Sequence, residues 1–261
     1  MTHRPGPLGP ITAAALALCG LAAPPALAHG GNLTVQFAQC TEFVGVAPVD
    51  ALKARALVPA RYALVSDAAG ARLVVRAADC ASVRVGSLPA RPGRVAQVGL
   101  IIVSPDGTAT DPNTSINNYT LSYASNSPAL VAALRAAGVP AALDLGLAYE
   151  VNPATGNGSE FYAAVSPEFD ASPTWFLHGS VNTPTFATSF LANWWRADGA
   201  RETKMATDIP AIGFDFASQV NFTTSRLNTL GKLIGSNRAP PFVLSFRGAF
   251  AAGTMVVTVD R

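Results

Sequence analysis

Amine and imidazole side chains are scarce in this sequence. The 261 residues contain three lysines, Lys53, Lys204 and Lys232, and three histidines, His3, His29 and His178. Charged residues make up 13% and the formal net charge is +2. A nucleic-acid-binding face needs clustered basic residues, so this balance argues against a nucleic-acid partner. There is no heptad, internal repeat, charge run or Gly-rich phosphate loop. No G-x-S-x-G elbow is present, and a Ser-His-Asp triad would have to rely on His178 as its base. The two cysteines beyond the first 28 residues and the scattered histidines lack the spacing of a zinc site. No apolar run approaches the roughly 20 residues that a membrane-spanning helix needs.

The amino-terminal region has a definite character. Residues Met1 to Pro10 carry Arg4 and no acid, and an apolar run follows from Ile11 to Leu21. Then comes Ala22-Ala23-Pro24-Pro25-Ala26-Leu27-Ala28. A basic start, a short apolar centre and small residues before a cut are the marks of a signal peptide. Residues 1–28 are therefore expected to be removed, leaving 29–261 as a single domain in a secreted or periplasmic setting. A lipidated Cys19 is the alternative, but Leu18 before it is too bulky for the usual cut. After cleavage two cysteines remain, Cys40 and Cys80, and in an exported chain an even pair reads as a disulfide. Two free thiols are the other reading. Asn-x-Ser/Thr sites occur at Asn32, Asn113, Asn118, Asn157 and Asn221, and they matter only in a host that glycosylates exported chains.

Period-2 hydrophobicity dominates the rest. Strands are expected at Leu33–Phe37, Ala71–Ala77, Val95–Val103, Tyr119–Tyr123, Leu143–Val151, Glu160–Val165, Ile212–Phe222, Phe242–Phe246 and Met255–Val259. Residues 153–158 read as a hairpin loop between two of them. Helices are expected at Pro128–Ala137, with Ser127 as cap and Gly138 and Pro140 as stop, and at Asp50–Leu57, stopped by Pro59. A third is expected over Pro184–Trp195, capped by Thr183, because Phe186, Phe190 and Trp194 recur at intervals of four. The fold class is α+β and mostly β: an antiparallel, barrel-like sheet with about three helices.

Few groups are available for chemistry. Lys53 falls on the short helix, Lys232 in a Gly-rich turn region and Lys204 in a polar loop. None has the apolar setting that depresses an amine pKa for Schiff-base chemistry. Glu150, Glu160 and Asp215 lie in or beside strands, where a solvated face or a carboxylate pair are both open readings. His178 reads as a residue near a strand end. A cut after Ala28 makes His29 the first residue, and its amine and ring could join His178 in holding copper. The start His29-Gly30 resembles mature lytic polysaccharide monooxygenases in those two residues.

The order of elements resembles the acetoacetate decarboxylase superfamily. A short helix runs into Leu57-Val58-Pro59-Ala60-Arg61-Tyr62, strands follow, and then comes the capped helix ending Gly138-Val139-Pro140-Ala141. In the family that helix ends Gly-x-Pro-Lys, and the lysine forms the Schiff base. Here Ala141 stands at the lysine position, and Gln97 at the position of a glutamate on the buried strand before the helix. The resemblance therefore implies the family's barrel without its imine chemistry. The expected function is an exported, non-catalytic binding protein for a small apolar or acidic molecule. Gln97, Ala141 and Glu150 would lie near its pocket, and no cofactor is expected. Two alternatives stand beside it. One is an exported enzyme using the His29/His178 copper site or an acid pair. The other is a surface-interaction protein without a pocket.

Overall fold

The computed structural model describes residues 32–152, 159–165, 175–182, 185–217 and 219–260. The first strand among the described residues is far longer than Leu33–Phe37. β1 runs over Leu33–Val49, and α1 (Ala51–Leu57) follows. The Asp50 carboxylate caps α1 by accepting from the Leu52 and Lys53 amides. Next come β2 (Ser66–Asp67), β3 (Gly70–Val85), β4 (Arg91–Ile101) and β5 (Ser115–Ser125). α2 (Pro128–Ala136) has Ser127 as its cap, and β6 (Ala141–Leu143) follows at once. Beyond these lie β7 (Ala148–Asn152), β8 (Ser159–Val165), β9 (Trp175–Val181), β10 (Phe186–Asp198), β11 (Arg201–Asp215), β12 (Val220–Thr224), α3 (Thr229–Ile234) and β13 (Leu244–Asp260).

Seven strands close into a barrel in the order β1-β13-β11-β10-β5-β4-β3, with β3 returning to β1. Closure removes the unpaired edges that a sheet of this size would otherwise expose. All neighbours are antiparallel except β10, which pairs parallel to β5 at residues 115–119. Further along the same edge of β5, β6 takes over in parallel at residues 123–125. A second antiparallel sheet, β12-β9-β8-β7, covers one outer flank. β7 and β8 are adjacent antiparallel strands of that sheet, and residues 153–158, read as the loop between them, lie outside the described residues.

Alternation, reset at register shifts such as the one in β5 opposite Val98 and Gly99, sorts side chains into an inner and an outer core. The inner core holds Val35, Phe37, Val44, Val46, Val74, Tyr123, Trp194, Met205, Phe246, Phe250 and Met255, with α2 adding Leu130, Val131 and Leu134 across one end. The outer core holds Phe43, Leu73, Val75, Val98, Leu100 and Tyr119 against Trp175, Leu177 and Phe222 of the second sheet and Leu230 and Leu233 of α3. Each fully buried side chain of this size contributes about 1.5–3 kcal/mol. Alternation resets once in β1. Val35 and Phe37 face inward, Gln39 takes φ 51°, and from there Cys40, Val44 and Val46 face inward. β3 makes the matching adjustment, its pairing with β4 slipping between Cys80 and Val83. Such bulges bend a strand, as barrel closure requires. Cys40 and Cys80 stand directly opposite each other there and form a disulfide.

The expected helix Pro184–Trp195 is instead strand β10 from Phe186 onward; Thr183 and Pro184 lie outside the described residues. An interval of four satisfies a period of two as well as 3.6. Phe190, Ala192 and Trp194 belong to the inner core, whereas Trp195 belongs to the outer one. Hydrogen bonding to β5 on one side and β11 on the other decides the matter. Lys204, expected in a loop, lies within β11 opposite Trp195. The Gly-rich turn around Lys232 is α3, capped by Asn228 and ended by Gly235 at φ 80°. The expected strand Ile212–Phe222 is divided between β11 and β12, and the last two expected strands merge into β13. No helix among the described residues is long and apolar enough to cross a membrane.

Candidate functional site

One row of paired residues crosses the barrel wall: Phe246, Val44, Arg76, Gln97, Tyr123 and Ala141. Residues paired directly across neighbouring strands share a face. Phe246, Val44, Tyr123 and Ala141 are inner-core residues, so the whole row faces the interior. Gln97 and Ala141 thus look into the same space on either side of Tyr123, about 9–10 Å apart at two strand spacings. Both are nearly inaccessible, at 2% and 5% exposure.

The row carries charge as well as apolar surface. Arg76 Nε and Nη2 both donate to Glu42 Oε2, at 2.7 and 2.5 Å, and Nη1 donates to Gln97 Oε1 at 2.5 Å. The Glu42 side chain is 6% exposed and that of Arg76 16%. Glu42 sits opposite Gly248, and a Cβ there would lie 2.9 Å from the Glu42 Cγ. Only glycine leaves room for the carboxylate to turn toward Arg76. Burial pushes the Tyr123 phenol well above the ordinary tyrosine range, and the nearby Arg76 cation opposes this only in part. The phenol is therefore a neutral hydrogen-bonding group. Arg135 Nε, on α2, donates to the Ala141 carbonyl at 2.7 Å and fixes β6 beside the helix.

The other sequence-derived residues fall elsewhere. Glu150 is exposed on β7, in the second sheet, while its neighbour Tyr149 turns inward to the outer core. Glu160 is on β8, and its side chain lies outside what the structure describes. Asp215 is buried at the end of β11, with the Ala217 amide on its Oδ1. His178 is exposed on β9, between Tyr162 and Asn221 in register, and His29 lies outside the described residues. Among the described residues, no group of three or more His, Cys, Asp and Glu side chains comes together.

The lysines are all accounted for. Lys53 on α1 and Lys232 on α3 are exposed. Lys204 projects outward from β11, its Nζ donating to Asp106 Oδ2 at 2.5 Å and Thr108 Oγ1 at 2.9 Å and lying 4.9 Å over the Trp195 ring. This ties down the strap at residues 104–114. The strap flanks a shallow cleft of about 290 Å³ lined by Ala109, Asp111, Ser115, Phe190 and Asp208. No amine reaches the barrel interior from any lysine. The interior offers no lysine nucleophile for an imine.

Sequence reasoning missed Glu42 and Arg76, although a signal was there. Arg76 alternates with Val74 and Ala78, and Glu42 with Val44, on faces that are otherwise apolar. An ionised residue at such a position must be paired to be buried.

The closed barrel, inner helix and flanking sheet are the acetoacetate decarboxylase-like fold. No protein-family model and no curated protein matches the sequence; the solved structures carry the likeness. Acetoacetate decarboxylase from Legionella pneumophila superposes with a TM-score of 0.56 at 11% identity, covering 95% of this chain and 96% of that one. An acetoacetate decarboxylase-like enzyme from Sphingomonas wittichii RW1 gives 0.57 at 9% identity, covering 92% and 95%. The enduracididine biosynthesis enzyme MppR, in complex with the condensation product of pyruvate and imidazole 4-carboxaldehyde, gives 0.55 at 12% identity, covering 97% and 96%.

Proposed function

We propose that this chain is an exported, non-catalytic binding protein that holds a small apolar or acidic molecule inside its barrel. The observation that carries the reading is the placement of every lysine outside that interior, with Ala141 on the inner wall beside Tyr123. Decarboxylation of a β-keto acid through an imine requires a primary amine at the site, and alanine offers none. Barrels of this size enclose small ligands when their side chains leave room. Export is supported by the leader-like residues 1–28 and by the Cys40–Cys80 disulfide, which persists in an oxidising compartment.

The test has three arms. Incubation with acetoacetate or pyruvate and borohydride should leave the protein mass unchanged and release no carbon dioxide; a reduced adduct on any lysine overturns the non-catalytic reading. Native mass spectrometry of protein from its own host should show a retained small molecule. Fractionation should recover the chain outside the cytoplasm with His29 as its first residue, and an uncleaved cytoplasmic chain refutes export.

A further inference from the structure

Asn118 and Thr120 occupy consecutive inward-facing positions of β5. Tyr119 between them belongs to the outer core, and the cross-strand neighbours of Asn118 are Ile101 and Trp194, both packed in the inner one. Each residue is 0% exposed. Nevertheless Asn118 Nδ2, Asn118 Oδ1 and Thr120 Oγ1 have no hydrogen-bond partner among the described residues. Buried polar atoms are nearly always bonded, so three orphans at adjacent interior positions require an explanation. Trp194 borders both. Thr120 pairs with Gly99, and a Cβ at Gly99 would lie 2.7 Å from Trp194 Cζ3, so glycine allows the indole to lie against β4 there.

We infer that Asn118 and Thr120 are hydrogen-bonding contacts for the ligand, and that its polar head is uncharged, with a donor and an acceptor side by side. A primary carboxamide or lactam on a flat apolar body has that chemistry. The inference rests on the barrel interior being the binding site, and narrows the ligand from apolar or acidic to uncharged. The Asn118 carboxamide presents an open donor and an open acceptor together, which a carboxamide or lactam complements in both senses. The Arg76 cation is already matched by Glu42 and Gln97, so it leaves no charge to neutralise a bound carboxylate. Arg196 donates to the Thr120 carbonyl at 3.2 Å and lies over the Tyr119 ring; its Nε is unpartnered and no carboxylate pairs with it among the described residues, so it is the competing anchor that an acidic head would use. Away from Arg196, a carboxylate set against Asn118 would lose its hydration and gain only the Nδ2 donor, leaving Oδ1 unanswered.

Benzamide and benzoate test this, because they share a shape and differ in charge and donor. Binding is read by Trp fluorescence and thermal shift, with Trp194→Phe as the fluorescence control. Benzamide should bind roughly tenfold more tightly than benzoate, with N118L weakening benzamide about tenfold and T120V a few-fold, as expected for loss of a buried hydrogen bond. Should N118L fail to fold, T120V alone carries the comparison. Benzoate binding as tightly or more tightly would assign the head to Arg196 and overturn the inference while sparing the barrel-binding reading. Unchanged benzamide affinity in folded N118L and T120V does the same. Binding of neither probe, with only water against Asn118 in a crystal structure, refutes both.

Discussion

Removing the Glu42 carboxylate should be among the most damaging single changes in the inner wall. Glu42 Oε2 receives both Nε and Nη2 of Arg76, and the Glu42 side chain is 6% exposed, so solvent screens the pair little. For unit charges about 4 Å apart at an effective dielectric constant near 20, the attraction is ~4 kcal/mol, and desolvation of both ions offsets much of it. The net value of the pair is therefore small, but an Arg76 left alone keeps its desolvation cost. Glu42→Leu should lower the unfolding free energy by about 3–5 kcal/mol, and Arg76→Met by a similar amount. The double variant Glu42→Leu/Arg76→Met should return to within about 1 kcal/mol of the parent or exceed it. Urea unfolding followed by circular dichroism gives each value as a midpoint shift at constant slope. Because both residues belong to one network, the single losses should not add, and the cycle should show a coupling of about 5–10 kcal/mol. A Glu42→Leu protein as stable as the parent, or a double variant as damaged as either single one, would refute the reasoning.

Three further outcomes follow from particular contacts. Replacing Cys40 and Cys80 by alanine opens a loop with a sequence separation of 40. This should cost up to ~4 kcal/mol by the chain-entropy estimate, read as a lower urea midpoint in the variant and in the reduced parent alike. Thr120→Val removes an orphan hydroxyl at nearly constant shape and should stabilise the empty protein by about 1 kcal/mol; a loss of stability would mean the hydroxyl is bonded within the fold. Burial would raise the Asp106 carboxyl, but hydrogen bonds from Lys204 and Thr108 outweigh it and hold the group below the ordinary aspartate range. With its folded value below the unfolded one near 3.9, that anchor is full above about pH 4 and weakens as pH falls further. Amide protection in residues 104–114, corrected for the intrinsic exchange rate, should then fall on acidification, and Lys204→Ala should lessen the pH dependence while the Thr108 bonds keep part of it.

Much of the barrel was legible in the sequence because a half-buried strand writes its burial as alternation. Leu33–Phe37 and Ala71–Ala77 lie within real strands, Val95–Val103 overruns the end of β4 by two residues, and the Ser127 cap and the Pro59 stop marked two helices. The misreadings share a cause. Phe186, Phe190 and Trp194 fit two periods, and only pairing with β5 and β11 chose between them. The Gln39 bulge interrupts alternation in β1, so a continuous strand looks like a short one. α3 was marked by Asn228 and Gly235, cap and stop, but is too short to show a period.

The sequence by itself determined which chemistry the chain could contain. It holds three lysines, two cysteines beyond the leader-like region, and alanine where the resembling family places its reactive amine. Composition limits chemistry in this way because a missing functional group cannot be supplied by folding. Only the tertiary structure decided which groups meet. Glu42, Arg76 and Gln97 come from three strands, and strand register alone brings them to one face. Glu150 looked equally eligible in the sequence, yet a place in the second sheet turned it to solvent. Asn118 carries an Asn-x-Thr pattern, which occurs in buried and exposed segments alike, and it is fully buried because barrel closure put the inner face of β5 out of reach of water. Closure is a long-range event that joins β1 to both β3 and β13, and no local pattern records which side of a strand it will enclose.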